Sequence, residues 1–156
     1  MKKIIFLLIS IFFISLASFA QESGFGIGIM VGEPSGLSVK KWLNNLNAID
    51  AGLGWSFTEN GSIHLHADYL YHNYDLIKVS DSKIPFYFGI GGRLKFKGEE
   101  KSAKGNSIGI RVPVGVSYEF QRAPFDVFLE IVPILDISPD TRFTFNSAIG
   151  VRYYLK

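Results

Sequence analysis

Between Ser107 and Gln121 the chain alternates without a slip. Ile108, Ile110, Val112, Val114, Val116, Tyr118 and Phe120 fall on one face, and Gly109, Arg111, Pro113, Gly115, Ser117 and Glu119 on the other. A period of two is the period of a β-strand. The run exceeds the ~5 to 6 residues of an ordinary globular strand and matches the ~9 to 11 tilted residues that cross a bilayer. The same alternation recurs over Gly24 to Val31, Leu37 to Leu43, Ala48 to Phe57, Ile63 to His72, Pro85 to Phe96, Phe125 to Ile137 and Phe143 to Lys156. Turn chemistry separates these runs, with Gly32-Glu33-Pro34-Ser35-Gly36, Asn44-Asn45-Leu46-Asn47 and the hairpin signal Glu59-Asn60-Gly61 as its clearest instances. Asn73 to Lys83 reads as an irregular connection, and Lys97 to Asn106 as a charged loop.

The pattern predicts an all-β chain of about eight antiparallel strands in sequential hairpins. Up-and-down closure is the economical topology, because it leaves no exposed strand edge. Pro113 and Pro133 interrupt adjacent strands; pairing Phe120 with Phe125 places each proline near the other strand's Val132 or Val112, which predicts a local bulge or weakened ladder.

Alternation does not say which face is inside, so the composition of the polar face decides. It carries Gly24, Gly26, Gly28, Gly52, Gly54, Gly89, Gly91, Gly109, Gly115 and Gly150. On a solvated sheet face glycine weakens strands without compensation, whereas inside a narrow barrel it makes room for a few long side chains. The apolar face carries aromatics near strand ends, among them Phe25, Trp55, Phe57, Phe86, Phe96, Tyr118, Phe120, Phe125, Phe143 and Tyr153, as an interfacial girdle requires. Lipid outside and polar groups inside is therefore the expected arrangement of a transmembrane β-barrel. The inverted alternative is a soluble periplasmic, lipocalin-like barrel holding an apolar ligand against its aromatic face.

A polar lumen must neutralise its own charges. Lys40, Arg93, Lys95, Arg111 and Arg152 are placed to balance Asp50, Asp68, Glu119, Glu130 and Asp136, with His64 and His66 in the same network. About eight strands leave an interior that side chains fill, so a salt-bridged filling is expected and large-solute transport is not. His64, His66 and Asp68 share one side of one strand, a chemically admissible zinc or copper set; strand spacing alone does not favour it over hydrogen-bonded filling, and no metal or cofactor is expected. An outer-membrane lipid-modifying enzyme is the alternative from another class, needing a nucleophile beside a base. Ser56 and Ser117 share the lumen side with the histidines, and only strand registry decides whether a pair meets at the rim. No catalytic residue is assigned.

Residues 1–20 begin with Lys2 and Lys3, continue apolar from Ile4 to Leu16 and end in Ala17, Ser18 and Ala20. This reads as a secretory signal peptide, leaving residues 21–156 as the barrel. Without those two lysines the chain's 16 basic and 14 acidic residues become 14 against 14. No electrostatic case for nucleic acid remains. Cysteine is absent, so neither disulfides nor thiol chemistry arise. With both termini on the periplasmic side, Gly32 to Gly36, Thr58 to Ser62, Lys97 to Asn106 and Ser138 to Arg142 face outward, and Lys97, Glu99, Glu100, Lys101 and Lys104 are the candidates for a loop-borne binding surface.

Gly32-Glu33-Pro34-Ser35-Gly36-Leu37-Ser38, Asn47-Ala48-Ile49-Asp50-Ala51-Gly52-Leu53-Gly54-Trp55-Ser56-Phe57, Gly91-Gly92-Arg93-Leu94-Lys95 and Ile110-Arg111-Val112-Pro113-Val114-Gly115 together resemble a family of small, functionally uncharacterised bacterial outer-membrane barrels, related in architecture to the OmpA and OmpX membrane domains. The resemblance spans nearly the whole chain after the signal. It implies an outer-membrane location in a Gram-negative-type bacterium, contact with outer-membrane lipid, a monomer, and surface loops of the kind that act as adhesins or bind extracellular or host proteins. It carries over no catalytic residue.

Overall fold

The computed structural model describes residues 24–57, 61–79, 82–97 and 106–155. Residues 1–20, expected as a signal peptide, lie outside them, as do Glu99, Glu100, Lys101 and Lys104 of the candidate loop.

Among the described residues the chain is all strand and turn. The strands are β1 (Phe25–Glu33), β2 (Ser35–Trp42), β3 (Asn47–Trp55), β4 (Ile63–Asn73), β5 (Lys78–Val79), β6 (Ser82–Lys83), β7 (Phe86–Phe96), β8 (Ser107–Arg111), β9 (Val114–Glu119), β10 (Phe125–Ser138) and β11 (Arg142–Leu155). Each pairs antiparallel with its neighbours. The order β11-β1-β2-β3-β4-β7, then β8 and β9, then β10 is closed by β10 against β11. Nine of the strands thus form the ring, and they fill eight positions because β8 and β9 lie end to end between β7 and β10.

The long run from Ser107 to Gln121 is therefore two strands, separated at Val112 and Pro113. The expected bulge is not there. Arg111 and Val114 face Ile134 and Ile131 on β10, and Gly91 and Phe88 on β7, in one unbroken register. The ladder survives because two contacts bridge the gap: Val112 N–H donates to the Pro133 carbonyl at 3.0 Å, and Gly89 N–H to the Pro113 carbonyl at 2.9 Å. The weakened ladder is real, since neither proline can donate. The register shift falls instead between Asp136 and Ser138, at the end of β10 remote from the termini.

Asn73 to Lys83 also differs from the irregular connection expected. It folds into the small β5–β6 hairpin, and Lys83 pairs with Glu119 at the end of β9. A connection too long for a tight turn thereby finds partners for its backbone at the barrel's end.

The faces separate cleanly. On β10, Ile131 is 56% exposed, while Glu130 and Val132 beside it are 4% and 1% exposed. The same holds around the ring, where Ile29, Val31, Leu37, Leu53, Ile90, Ile110, Leu129 and Ile149 look outward, while Lys40, Asp50, Asp68, Arg93, Arg111, Glu130 and Arg152 look inward. This removes the inverted reading, whose ligand pocket requires the aromatic face inside. Aromatic side chains collect toward both ends of the outer surface. Tyr71 with Phe88, Tyr118 with Phe120 and Phe125 with Tyr153 lie toward the termini, and Phe143 with Phe145 at the other end, at ring separations of 4.7 to 5.5 Å. On β11 the belt runs from Tyr153 to Phe143, and at ~3.3 Å per residue and a tilt of ~40° it stands about 25 Å tall.

The lumen is filled by size matching. Straight across the ladder Gly26 faces Tyr154, Gly52 faces His66, Gly89 faces Leu70, Gly91 faces Asp68, Gly109 faces Asp136, Gly115 faces Tyr87 and Gly150 faces Phe128. In every pair the larger side chain occupies the space a Cβ on the glycine would need. An eight-position ring is narrow enough that a bulky residue must lie over its neighbour.

Candidate functional site

Inward projection from alternate positions concentrates charge where water is scarce. Lys40, Arg93, Lys95, Arg111 and Arg152 are buried, and so are Asp50, Asp68, Asp126, Glu130 and Asp136. Five cations among the described residues thus face five carboxylates, and the ladder sorts them into three groups along the lumen.

Toward the termini, Arg152 lies 3.8 Å from Asp126 and 3.9 Å from Asp50, with its guanidinium 3.9 Å above the Phe128 ring centroid. Lys40 Nζ donates to His72 Nε2 at 2.8 Å, stands 4.0 Å from Asp126 and lies 4.2 Å from the Trp42 ring centroid. An ammonium donor requires Nε2 of His72 to accept, which leaves Nδ1 to donate to the Leu46 carbonyl at 3.1 Å. Tyr154 adds a 2.6 Å hydrogen bond to Asp126. In the middle, Arg111 bridges Asp68 at 2.8 Å and Glu130 at 3.6 Å, and Tyr87 donates to Glu130 at 3.0 Å. Toward the far mouth, Arg93 grips Asp136 through two contacts of 2.9 and 2.6 Å and reaches Thr144 at 3.3 Å. That fork is the strong, planar form of the charge-assisted bond.

Of the other lumen residues expected from sequence, Glu119 sits half-buried at the terminus-side rim and accepts from Tyr74 at 2.9 Å. Burial first, and the charge of Glu119 second, hold the Tyr74 phenol above its ordinary range. His64 bonds Ser62 Oγ at 3.0 Å, both side chains being inaccessible to solvent. His66 packs over Gly52, with its Nδ1 unpartnered. Among the described residues no set of three or more His, Cys, Asp or Glu side chains is arranged to hold a metal ion. The lumen gap bounded by Met30, His66, Arg111, Glu130, Val132 and Asn146 measures about 10 Å³, roughly the room of one water. Lys97 stands half-exposed at the far mouth, while the rest of the expected loop surface lies outside the described residues.

Sequence reasoning missed Asp126, His72, Tyr87 and Tyr154 as members of this network. Parity carried the signal in each case. Asp126 shares a face with Glu130 and Asp136, and Tyr154 with Arg152; Tyr87 occupies the glycine face of its strand, from which its hydroxyl reaches Glu130. Registry brings the Ser62 hydroxyl, which the sequence pattern did not single out, to a histidine. With Ser62 and His64 at 0% and 1% exposure, no substrate has access to that pair.

Residues 17–154 match the model of a family described as a protein of unknown function, DUF3996. No curated protein matches the chain. Among solved structures, the N-terminal β-barrel domain of Pseudomonas aeruginosa OprF is similar over 84% of this chain and 95% of that one, with a TM-score of 0.58 and 11% sequence identity. At that identity the likeness concerns the fold.

Proposed function

We propose, from the premise that this chain belongs to the DUF3996 family of proteins of unknown function, that it is a non-enzymatic β-barrel of the bacterial outer membrane. It is exported by its first twenty residues, contributes to the envelope as a monomer, and displays its loops for adhesion or for binding a host protein. The observation that carries this reading is the outer surface. A closed ring with a belt of Ile, Val and Leu about 25 Å tall between two aromatic girdles matches the apolar band of a bacterial outer-membrane barrel. Water is a poor solvent for a continuous surface of that kind, since soluble proteins seldom expose apolar patches beyond a few hundred Å².

The lumen supports the same reading. Its charges are paired and its gaps are filled, so the barrel offers stability and an anchor rather than a wide path for solutes. The loops at the end remote from the termini, Lys97 to Asn106 among them, are the segments offered for binding, since connecting segments on a rigid scaffold are where binding concentrates.

The test is gel mobility of the full chain extracted from washed outer membranes, with and without boiling in detergent, together with protease treatment of whole cells. The expected result is a mobility shift on boiling and cleavage near Lys101 or Lys104 in intact cells. Recovery in the soluble periplasm, with no shift, overturns the proposal.

A further inference from the structure

The alternation of faces breaks at one place on β1. Ile27, Ile29 and Val31 hold odd positions and look outward, yet Glu33, two residues further, has one carboxylate oxygen buried and borders the lumen gap of about 10 Å³. Gly32 makes the break. Its φ of +149° lies where L side chains are seldom found, and a Cβ added there would run into the Ser147 carbonyl. The chain beyond is fixed from two sides. The Ser35 hydroxyl accepts from Gly32 N–H at 3.0 Å and donates to the Gly32 carbonyl at 2.9 Å, while Pro34 is buried against Gly54, where a Cβ would stand 2.8 Å from that of the proline. The β1–β2 turn therefore dips into the barrel instead of standing clear of it.

Three residues that border the gap each keep one buried side-chain atom that no group among the described residues engages: Glu33 Oε1, His66 Nδ1 and Asn146 Nδ2. His66 and Asn146 are both 5% exposed, so bulk water does not serve them. Buried polar atoms in folded proteins nearly always find a partner. The charged walls of the gap are already occupied, Arg111 with Asp68 and Glu130, and Glu130 with Tyr87 as well. The three open atoms come from the outer turn, from β4 and from β11. They are one carboxylate acceptor, one amide donor and one imidazole nitrogen that accepts when the ring is neutral with its proton on Nε2.

We propose that this gap is the site of one ordered water, which donates to Glu33 Oε1 and His66 Nδ1, accepts from Asn146 Nδ2, and so latches the β1–β2 turn to the lumen. Two donated bonds and one accepted bond are within a water's capacity, and about three bonds is the usual number for a buried one. The gap has the volume of one such guest. The water closes a path from the outer turn to the central Arg111 group, which the turn's own residues do not reach by a direct ion pair among the described residues. The site stands whether or not the outer loops bind a protein.

The experiment uses the full chain, folded in detergent and checked by its mobility shift. Nitrogen-15-labelled histidine, assigned with His66→Gln, reads the ring of His66 in the wild-type chain, so this arm holds even if a variant fails to fold. Oxygen-17 relaxation dispersion compares long-lived waters in wild type and Asn146→Leu, and amide exchange at Gly32 reports the turn, with Lys41→Gln as control. The expected result is an unprotonated, hydrogen-bonded Nδ1 in wild type, one long-lived water fewer in Asn146→Leu, and exchange at Gly32 about tenfold faster in that variant and unchanged in the control. A proton on Nδ1 overturns the proposal, as does a folded Asn146→Leu that keeps the water or loses it with no change at Gly32. Movement of the His66 resonances when sodium replaces choline at constant ionic strength also overturns it, by assigning the gap to a cation.

Discussion

Replacing Arg93 with Met is expected to cost far more than the loss of two hydrogen bonds. Arg93 is 1% exposed and Asp136 3%, and the guanidinium touches both carboxylate oxygens, at 2.9 and 2.6 Å. Deleting one partner of a buried, hydrogen-bonded ion pair leaves the other charge where water cannot solvate it, a loss of about 3 to 5 kcal/mol. That corresponds to roughly two to three and a half orders of magnitude in the folding equilibrium. Removing both charges is different in kind. In Arg93→Met with Asp136→Leu no orphan remains, and such exchanges are often close to neutral, so the double variant should return to within about 1 kcal/mol of wild type. The assay is urea unfolding of the barrel refolded into lipid vesicles, followed by the emission of Trp42 and Trp55 and by gel mobility without boiling. A single substitution costing less than about 1 kcal/mol would show that water reaches the pair, and a double variant no better than the single would show that the fork was never the source of the loss.

Three further outcomes are expected. Ile131→Arg, at the middle of the outer belt on β10, should cost about 2 to 4 kcal/mol in vesicles, and the same substitution at exposed Lys41 should be close to silent in the same unfolding assay. Gly26→Ala places a Cβ 2.8 Å from Tyr154 Cε1, so it should destabilise by about 1 to 3 kcal/mol and couple strongly to Tyr154→Ala in a double-mutant cycle; additive losses would refute the size matching. Because the Tyr74 phenol is held above its ordinary range, its contribution is intact below about pH 10, where a free tyrosine ionises, and is lost as pH rises further. Tyr74→Phe should therefore flatten the decline in stability measured between about pH 9 and 12.

The strands were legible because period two is a local property: which residue faces inward on β3, β4, β10 or β11 follows from parity alone. Glycine told the inside from the outside for a physical reason, since only a crowded lumen rewards a missing side chain. What escaped was everything that depends on registry. The network around Asp126 needs β2, β10 and β11 to be in line before Lys40 and Arg152 can reach one carboxylate. The two prolines could be brought side by side on paper, but not the carbonyls of Pro113 and Pro133 that keep the ladder in step across the gap. The β5–β6 hairpin was invisible for a simpler reason, because two-residue strands are too short to show a period.

The facing of glycine by a large side chain has a consequence for how such a barrel changes over time. Gly52 with His66, Gly115 with Tyr87 and Gly150 with Phe128 each hold one shared volume, divided as nothing plus a ring. A single enlargement overfills that volume and a single truncation empties it, so each member constrains the other while leaving the next pair along the ladder free. The heritable unit of the lumen is then the cross-strand couple. A descendant could carry the ring on either strand, reversing which residue is small, and keep the same barrel. Its sequence would have drifted far, with the changes arriving in twos at positions joined by the ladder.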